Sequence, residues 1–348
     1  MSEKAISSPF FDQRRLSAWL NLQAPEVGDV ESVERFAGGQ SNPTFALHAA
    51  GGRYVLRRKP QGALLRGAHA VEREARVQSA LYAAGFPVPR IIATCEDAGV
   101  VGSPFYVMAL VEGRMFWESS FAAASPSERP LLFDAMNATL ARLHAIRPGD
   151  VGLGDYGRPD RYVERQIARW SAQYRADGGA GRVPELEALA AWLPTAVPKD
   201  EETAIVHGDF RVDNLIFAPD RPEIVAVIDW ELSTLGHPIA DFAYHLMMYR
   251  LLPSFPGGLL GVDISAARLP TEASYVERYS ERTGRKGVAD LDFYLCYNLF
   301  RFAAIIHGIK GRMLRGNASS AEAGRLVEQL PTIARLAHEQ GVRAGMPA

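Results

Sequence analysis

His207-Gly208-Asp209-Phe210-Arg211-Val212-Asp213-Asn214-Leu215-Ile216-Phe217, followed by Val225-Ala226-Val227-Ile228-Asp229-Trp230-Glu231, sets three charge-handling side chains at fixed positions around a hairpin. Residues 215–217 and 224–228 are short apolar runs rich in β-branched residues. Pro219, Asp220, Arg221 and Pro222 lie between them, which is the pattern strand, turn, strand. The H-x-D-x-x-x-x-N spacing places Asp209 and Asn214 at the two ends of a loop, so that one can face an incoming hydroxyl while the other reaches a metal. Asp229 falls at the end of the second strand, where a hard carboxylate oxygen can meet the same magnesium as Asn214. Phosphoryl transfer asks for little covalent help but needs a carboxylate to orient the attacking hydroxyl and oxygens to hold the metal. Each fragment alone would pass for an ordinary turn and a helix N-cap. Their order, with a hairpin between, points to chemistry: Asp209 as base, Asn214 and Asp229 as metal ligands.

With these residues in place, the chain resembles the aminoglycoside phosphotransferase-like kinases over nearly its whole length. The resemblance implies an α+β, bilobal, protein-kinase-like fold: a small N-terminal antiparallel-sheet lobe and a larger, mainly helical C-terminal lobe. It also implies ATP and magnesium as cofactors. The expected division is residues 1–111, a nucleotide-binding lobe ending in a hinge, and residues 112–348, the helical lobe with the catalytic loop and substrate site.

Elements upstream fit that pattern. Phe36 to Phe45 resembles the nucleotide-covering loop between two strands, and Gly38, Gly39, Gln40, Ser41 and Asn42 would let backbone amides approach phosphate. In the strand Tyr54 to Lys59, Val55, Arg57 and Lys59 share a face by the two-residue period. Protein kinases carry a lysine where Arg57 falls, so a guanidinium would contact the α- and β-phosphates. Arg57 is favoured over Lys59, which precedes Pro60 where the strand should be ending; Arg58 and Lys59 are expected to be solvated. The helix 70–81 offers Glu72 and Glu74 as partners for the strand cation, and alignment through Gly85-Phe86-Pro87-Val88-Pro89 favours Glu74. In the strand and linker Pro104 to Gly113, the resemblance assigns the backbone of Ala109 and Val111 to adenine and Met108 to the back of its pocket.

Composition agrees. A chain of 348 residues is longer than one core normally supports. With 38 basic and 40 acidic residues, the charge implies neither nucleic acid nor an anionic membrane as partner. Cys95 and Cys296 are the two cysteines, far apart and expected to be buried thiols, which suits a reducing cytoplasm. No run approaches a membrane span, and the N-terminus lacks a signal-peptide core. Downstream, 126–143, 162–174 and 184–193 read as helices. His144 reads as structural, and Asp241, in the first turn after Pro238, as a carboxylate bonding the catalytic loop's backbone.

Where many aminoglycoside kinases have an acidic residue, this chain has His237, which weakens transfer of the antibiotic substrate. The stretches Gly208 to Tyr244, 85–89 and 102–116 are more similar to kinase-like domains fused to, or encoded beside, acyl-CoA dehydrogenases. That branch implies phosphorylation of a hydroxyacyl-CoA, 4-hydroxyacyl-CoA above all, with any dehydrogenase partner a separate polypeptide. Between Tyr294 and Arg315 stand Arg301, Lys310, Arg312, Arg315 and His307 with no acidic residue, a charge that suits CoA phosphates better than a polycation. Choline, a sugar or an aminoglycoside as acceptor, and a nucleotide-binding protein without turnover, are the alternative readings.

Overall fold

A computed structural model describes residues 10–36, 42–60, 69–200, 202–255, 257–316 and 321–347. In chain order the elements are α1 (Gln13–Gln23), β1 (Val30–Arg35), β2 (Thr44–Ala49), β3 (Gly52–Arg58), α2 (Val71–Ala83), β4 (Ile91–Cys95), α3 (Ala98–Val101), β5 (Phe105–Ala109) and β6 (Arg114–Met115). There follow α4 (Arg129–Ala145), α5 (Tyr162–Ala176), α6 (Pro184–Trp192), β7 (Ala204–Val206), β8 (Leu215–Phe217), β9 (Ile224–Val227), β10 (Thr234–Gly236) and α7 (Pro238–Leu246). The last are α8 (Glu272–Arg282), α9 (Leu291–Leu314), α10 (Ala321–Glu328) and α11 (Leu330–Arg343). The fold is α+β, a five-stranded antiparallel sheet with a helical part. By internal contacts the chain divides into two compact units: Met1–Arg114, Val151–Leu153 and Leu215–Ser233 form one, and Met115–Asp150, Gly154–Asn214 and Thr234–Ala348 the other.

In the first unit the sheet runs β1-β2-β3-β5-β4. One face meets α1: Leu16 and Leu20, one turn apart, pack with Phe45, Leu47, Leu56 and Val107. Asp12 caps α1, accepting from the N–H groups of Arg14 and Arg15. The other face meets α2 through Val71, Ala75 and Tyr106. Arg57 is opposite Tyr106 in the β3–β5 register, so it points to the α2 side, as the two-residue period predicts. Arg58 points the other way and is not solvated. It is buried, its guanidinium 5.6 Å from the Phe11 ring and 5.3 Å from the Phe45 ring, with Nη1 donating to the Val101 carbonyl. Aromatic faces and one carbonyl take the place of water for that charge. Lys59, also expected in solvent, pairs with Glu72 at 2.8 Å.

The expected hairpin is β8–β9, with Leu215 opposite Val227, and β6 on its other edge. Gly113 is required there, because a Cβ would fall 2.3 Å from the Phe217 carbonyl oxygen. In the second unit α9 is the central helix, with α5, α6, α7, α10 and α11 against it. It is apolar on nearly every side, which suits a helix surrounded by others. The antiparallel pair β7–β10 precedes the His207 loop at one end and α7 at the other. No helix among the described residues is long and apolar enough to cross a membrane.

Candidate active site

Four of the residues singled out from sequence meet in the first unit. Arg57 Nε lies 2.8 Å from Glu74 Oε2, and Nη2 donates to Asp229 Oδ1 at 2.7 Å and to Glu231 Oε2 at 3.3 Å. The Nε–H is not aligned on Glu74, so that contact is an ion pair rather than a directed hydrogen bond. Glu74, 1% exposed, also accepts from Asn42 Nδ2 at 2.7 Å and from the Tyr106 hydroxyl at 3.1 Å. Burial works against the Arg57 charge, yet Glu74, Asp229 and Glu231 hold it above the ordinary arginine value. Nη1 meets no acceptor among the described residues and is the donor left to point elsewhere.

Asp229 does not cap a helix. Its backbone is left-handed, at φ +63°, and it leads into a short 3₁₀ turn that its side chain does not cap. The segment is pinned on both sides: Val227 N–H donates to the Pro87 carbonyl at 2.8 Å, Trp230 Nε1 donates to the Val227 carbonyl at 2.9 Å, and the buried Trp230 ring meets Phe86 edge to face. Contacts around it maintain a backbone that β9 alone would not adopt.

Burial pushes the Glu74 carboxyl up to about 7, Arg57 notwithstanding. The raised value means that the folded protein keeps a proton which the unfolded chain has already released. Stability should therefore fall as pH rises from the ordinary 4.5 through about 7. Glu74→Gln removes this proton from the balance and should flatten the pH dependence of the unfolding midpoint between pH 5 and 8. An unchanged slope would show that Glu74 titrates in its ordinary range.

In the second unit Asp209 and Asn214 are together. Asn214 Nδ2 donates to the Asp209 carbonyl at 2.9 Å and to Asp209 Oδ2 at 3.0 Å. Both amide hydrogens are thus committed, which leaves the Asn214 Oδ1 acceptor uncommitted among the described residues. The Tyr244 hydroxyl donates to Asp209 Oδ1, and Arg211 Nε stands 3.7 Å from the same oxygen while its guanidinium pairs with Asp213. The loop is held from behind. Gly208 takes φ +80°, and Asp241 accepts the His207 and Gly208 N–H groups, one on each oxygen, at 2.8 Å. Burial opposes the Asp241 charge, but His144, 3.2 Å away, and these amides keep the carboxyl below its usual value. His144 Nδ1 reaches the Tyr279 hydroxyl at 2.6 Å, so His144 is a structural link, as expected.

Sequence reasoning missed three residues here. Tyr244 and His245 follow Asp241 at helical spacings of three and four, a pattern that marks one face of α7 facing the loop. Arg211 lies inside the quoted motif, but its contact with Asp209 depends on the loop's path. Arg301, one of the basic residues that suit a CoA phosphate, is buried and donates Nη2 to the Gly208 carbonyl at 3.0 Å. Arg315 pairs with Asp177, and His307 Nε2 donates to the Gly181 carbonyl. Of that basic stretch, Arg301 and His307 are buried and internal, whereas Arg312 and Arg315 are exposed. Met108 packs against the Val71, Ala75 and Tyr106 cluster, and the Ala109 N–H is committed to the Arg90 carbonyl at 2.9 Å. Val111 is half-buried. Gly38, Gly39, Gln40 and Ser41 lie outside the described residues.

A family profile described as the phosphotransferase enzyme family matches residues 32–275. Acyl-CoA dehydrogenase family member 10 of Mus musculus is 41% identical over 335 residues, covering 94% of this chain and 31% of the relative, so the chain spans about a third of that protein. The crystal structure of an aminoglycoside phosphotransferase-like protein from Ralstonia eutropha is 42% identical, with TM-score 0.88 over 96% of this chain and 99% of that one. A spectinomycin phosphotransferase, solved with ADP and spectinomycin, shares the fold at TM-score 0.60 and 11% identity, over 94% and 98% of the two chains. The chain belongs to the phosphotransferase enzyme family, in its kinase-like, aminoglycoside phosphotransferase-like group.

Proposed function

We propose that the protein is an ATP-dependent phosphotransferase that phosphorylates the alcohol of a small molecule, a hydroxyacyl-CoA of the 4-hydroxyacyl type. The observation that carries the transferase reading is the Asp209–Asn214 pair: a held carboxylate at the loop's start and a carboxamide whose oxygen is left over for a hard cation. Asn214 and Asp229 would hold magnesium through oxygen. Bound there, magnesium would neutralise charge on the nucleotide phosphates. Arg57, steadied by Glu74, turns its remaining guanidinium edge to the α- and β-phosphates, the residues 38–42 supply backbone amides, and the linker at Ala109 and Val111 receives adenine beside Met108. Asp209 orients the acceptor hydroxyl and takes its proton as attack on the γ-phosphate proceeds. Arg211 adds positive charge beside that carboxylate.

Two observations support an acyl acceptor. The relative from Mus musculus carries an acyl-CoA dehydrogenase name, which fits a dehydrogenase partner acting on the phosphorylated product in the cytoplasm. A pocket beside the Asp209 loop is lined by Phe210, Val212, Met247, Met248, Leu251 and Phe302, and its one carboxylate, Asp213, is already neutralised by Arg211. At about 40 Å³ it has room for the end of an apolar group rather than a whole chain, and with Arg211 in its wall it offers nothing to a polycation. ADP release should be measured with 4-hydroxyacyl-CoAs, choline and aminoglycosides as acceptors. Turnover is expected with the CoA esters. Turnover with an aminoglycoside or choline alone would overturn the acyl assignment.

A further inference from the structure

Three residues on one face of α7 grip four consecutive residues of the Asp209 loop. Asp241 takes the His207 and Gly208 amides, Tyr244 bonds the Asp209 side chain, and His245 Nδ1 donates to the Phe210 carbonyl at 3.2 Å. Burial depresses His245 to about 4, so it is neutral: Nδ1 carries the proton, and Nε2 accepts from the Tyr275 hydroxyl at 2.8 Å. Tyr244 is itself clamped. The Arg301 guanidinium lies 5.0 Å from its ring and 5.6 Å from the Trp170 ring, while donating to the Gly208 carbonyl.

We infer that Tyr244 is a positioning residue for Asp209, its hydroxyl fixing the direction in which that carboxylate presents itself to the acceptor. The inference rests on the assignment of Asp209 as base. An aspartate has a free χ2, and a carboxylate hydrogen-bonded only at Oδ2, by Asn214, can still swing about that contact, since Arg211 at 3.7 Å is too far to bond Oδ1. The Tyr244 bond at Oδ1 removes the swing and leaves the remaining lone pairs for the incoming hydroxyl. Tyr244 is suited to this because it stays a donor: burial first, and Asp209 next, raise its pKa well above the ordinary phenol value. The charged groups facing the pair are Arg211 at Asp209 Oδ1 and Arg301 at the Tyr244 ring.

Tyr244→Phe removes the hydroxyl and keeps the ring between Arg301 and the loop. It should lower kcat about tenfold or more while KM for the nucleotide holds and the unfolding midpoint falls by no more than the loss of one hydrogen bond. In an Asp209→Asn background the same change should cost nothing further, because the two residues act as a unit. A crystal structure of Tyr244→Phe should show the Asp209 carboxylate turned from its present orientation. An unmoved carboxylate, or a loss of kcat that adds to that of Asp209→Asn, overturns the inference. If the unmutated protein transfers phosphate to no acceptor, the phosphotransferase assignment fails instead, and the crystallographic comparison still decides whether Tyr244 sets the carboxylate.

Discussion

Asp209→Asn is expected to lower turnover by about 10²–10⁴-fold, the range of a positioned general base, with nucleotide affinity nearly unchanged. The replacement has the same shape and can still accept hydrogen bonds through its carbonyl oxygen. It lacks the negative charge and the capacity to take a proton from the attacking hydroxyl. The contacts that hold the loop, Asp241 to the His207 and Gly208 amides and Arg301 to the Gly208 carbonyl, are made by other residues and persist. Turnover measured by ADP release and affinity measured by titration calorimetry separate the two effects. Near-normal turnover would remove Asp209 from the chemistry.

Arg57→Met is expected to destabilise the fold by about 3–5 kcal/mol, because it leaves the buried Glu74 carboxylate without its cation. The Arg57 side chain is 10% exposed and that of Glu74 1%, and Asp229 and Glu231 share the same guanidinium. Protonation of Glu74 relieves part of that cost, so the loss should be larger at pH 8 than at pH 5.5. Pairing Arg57→Met with Glu74→Leu should recover part of the stability, since a buried ion pair can often be replaced by apolar residues at little cost. Urea unfolding of the two variants at both pH values measures this. A single variant as stable as the parent would mean that the carboxylates find water or other donors.

Much of this was readable along the chain. The hairpin, the helices 162–174 and 184–193, and the side of β3 on which Arg57 lies all follow from local periodicity, and each appears within a residue or two of its expected limits. The choice of Glu74 over Glu72 also agrees with the observed ion pairs. Other features were not readable. β7 and β10 are three residues each, too short for a pattern, and exist because they pair with each other. Arg58 reads as a surface cation and is a buried one, because Phe11 and Phe45 lie against it. Arg301 sits in an apolar run that fits either a ligand-binding charge or an internal strut, and its partner at Gly208 is 93 positions away.

Residue order alone therefore specified the hairpin, the helices 162–174 and 184–193 and the family, since period, turn residues and motif spacing act over a few positions. Packing settled which charges meet. Arg57 reaches Asp229 across 172 positions and Tyr244 reaches Asp209 across 35, contacts that no short-range rule encodes. Burial of Arg57 and Tyr244, and partial burial of the two carboxylates, raises the cost of leaving those groups without partners. The physical reason is the range of the forces: backbone preference acts on neighbours, whereas desolvation acts on whatever the folded chain brings together.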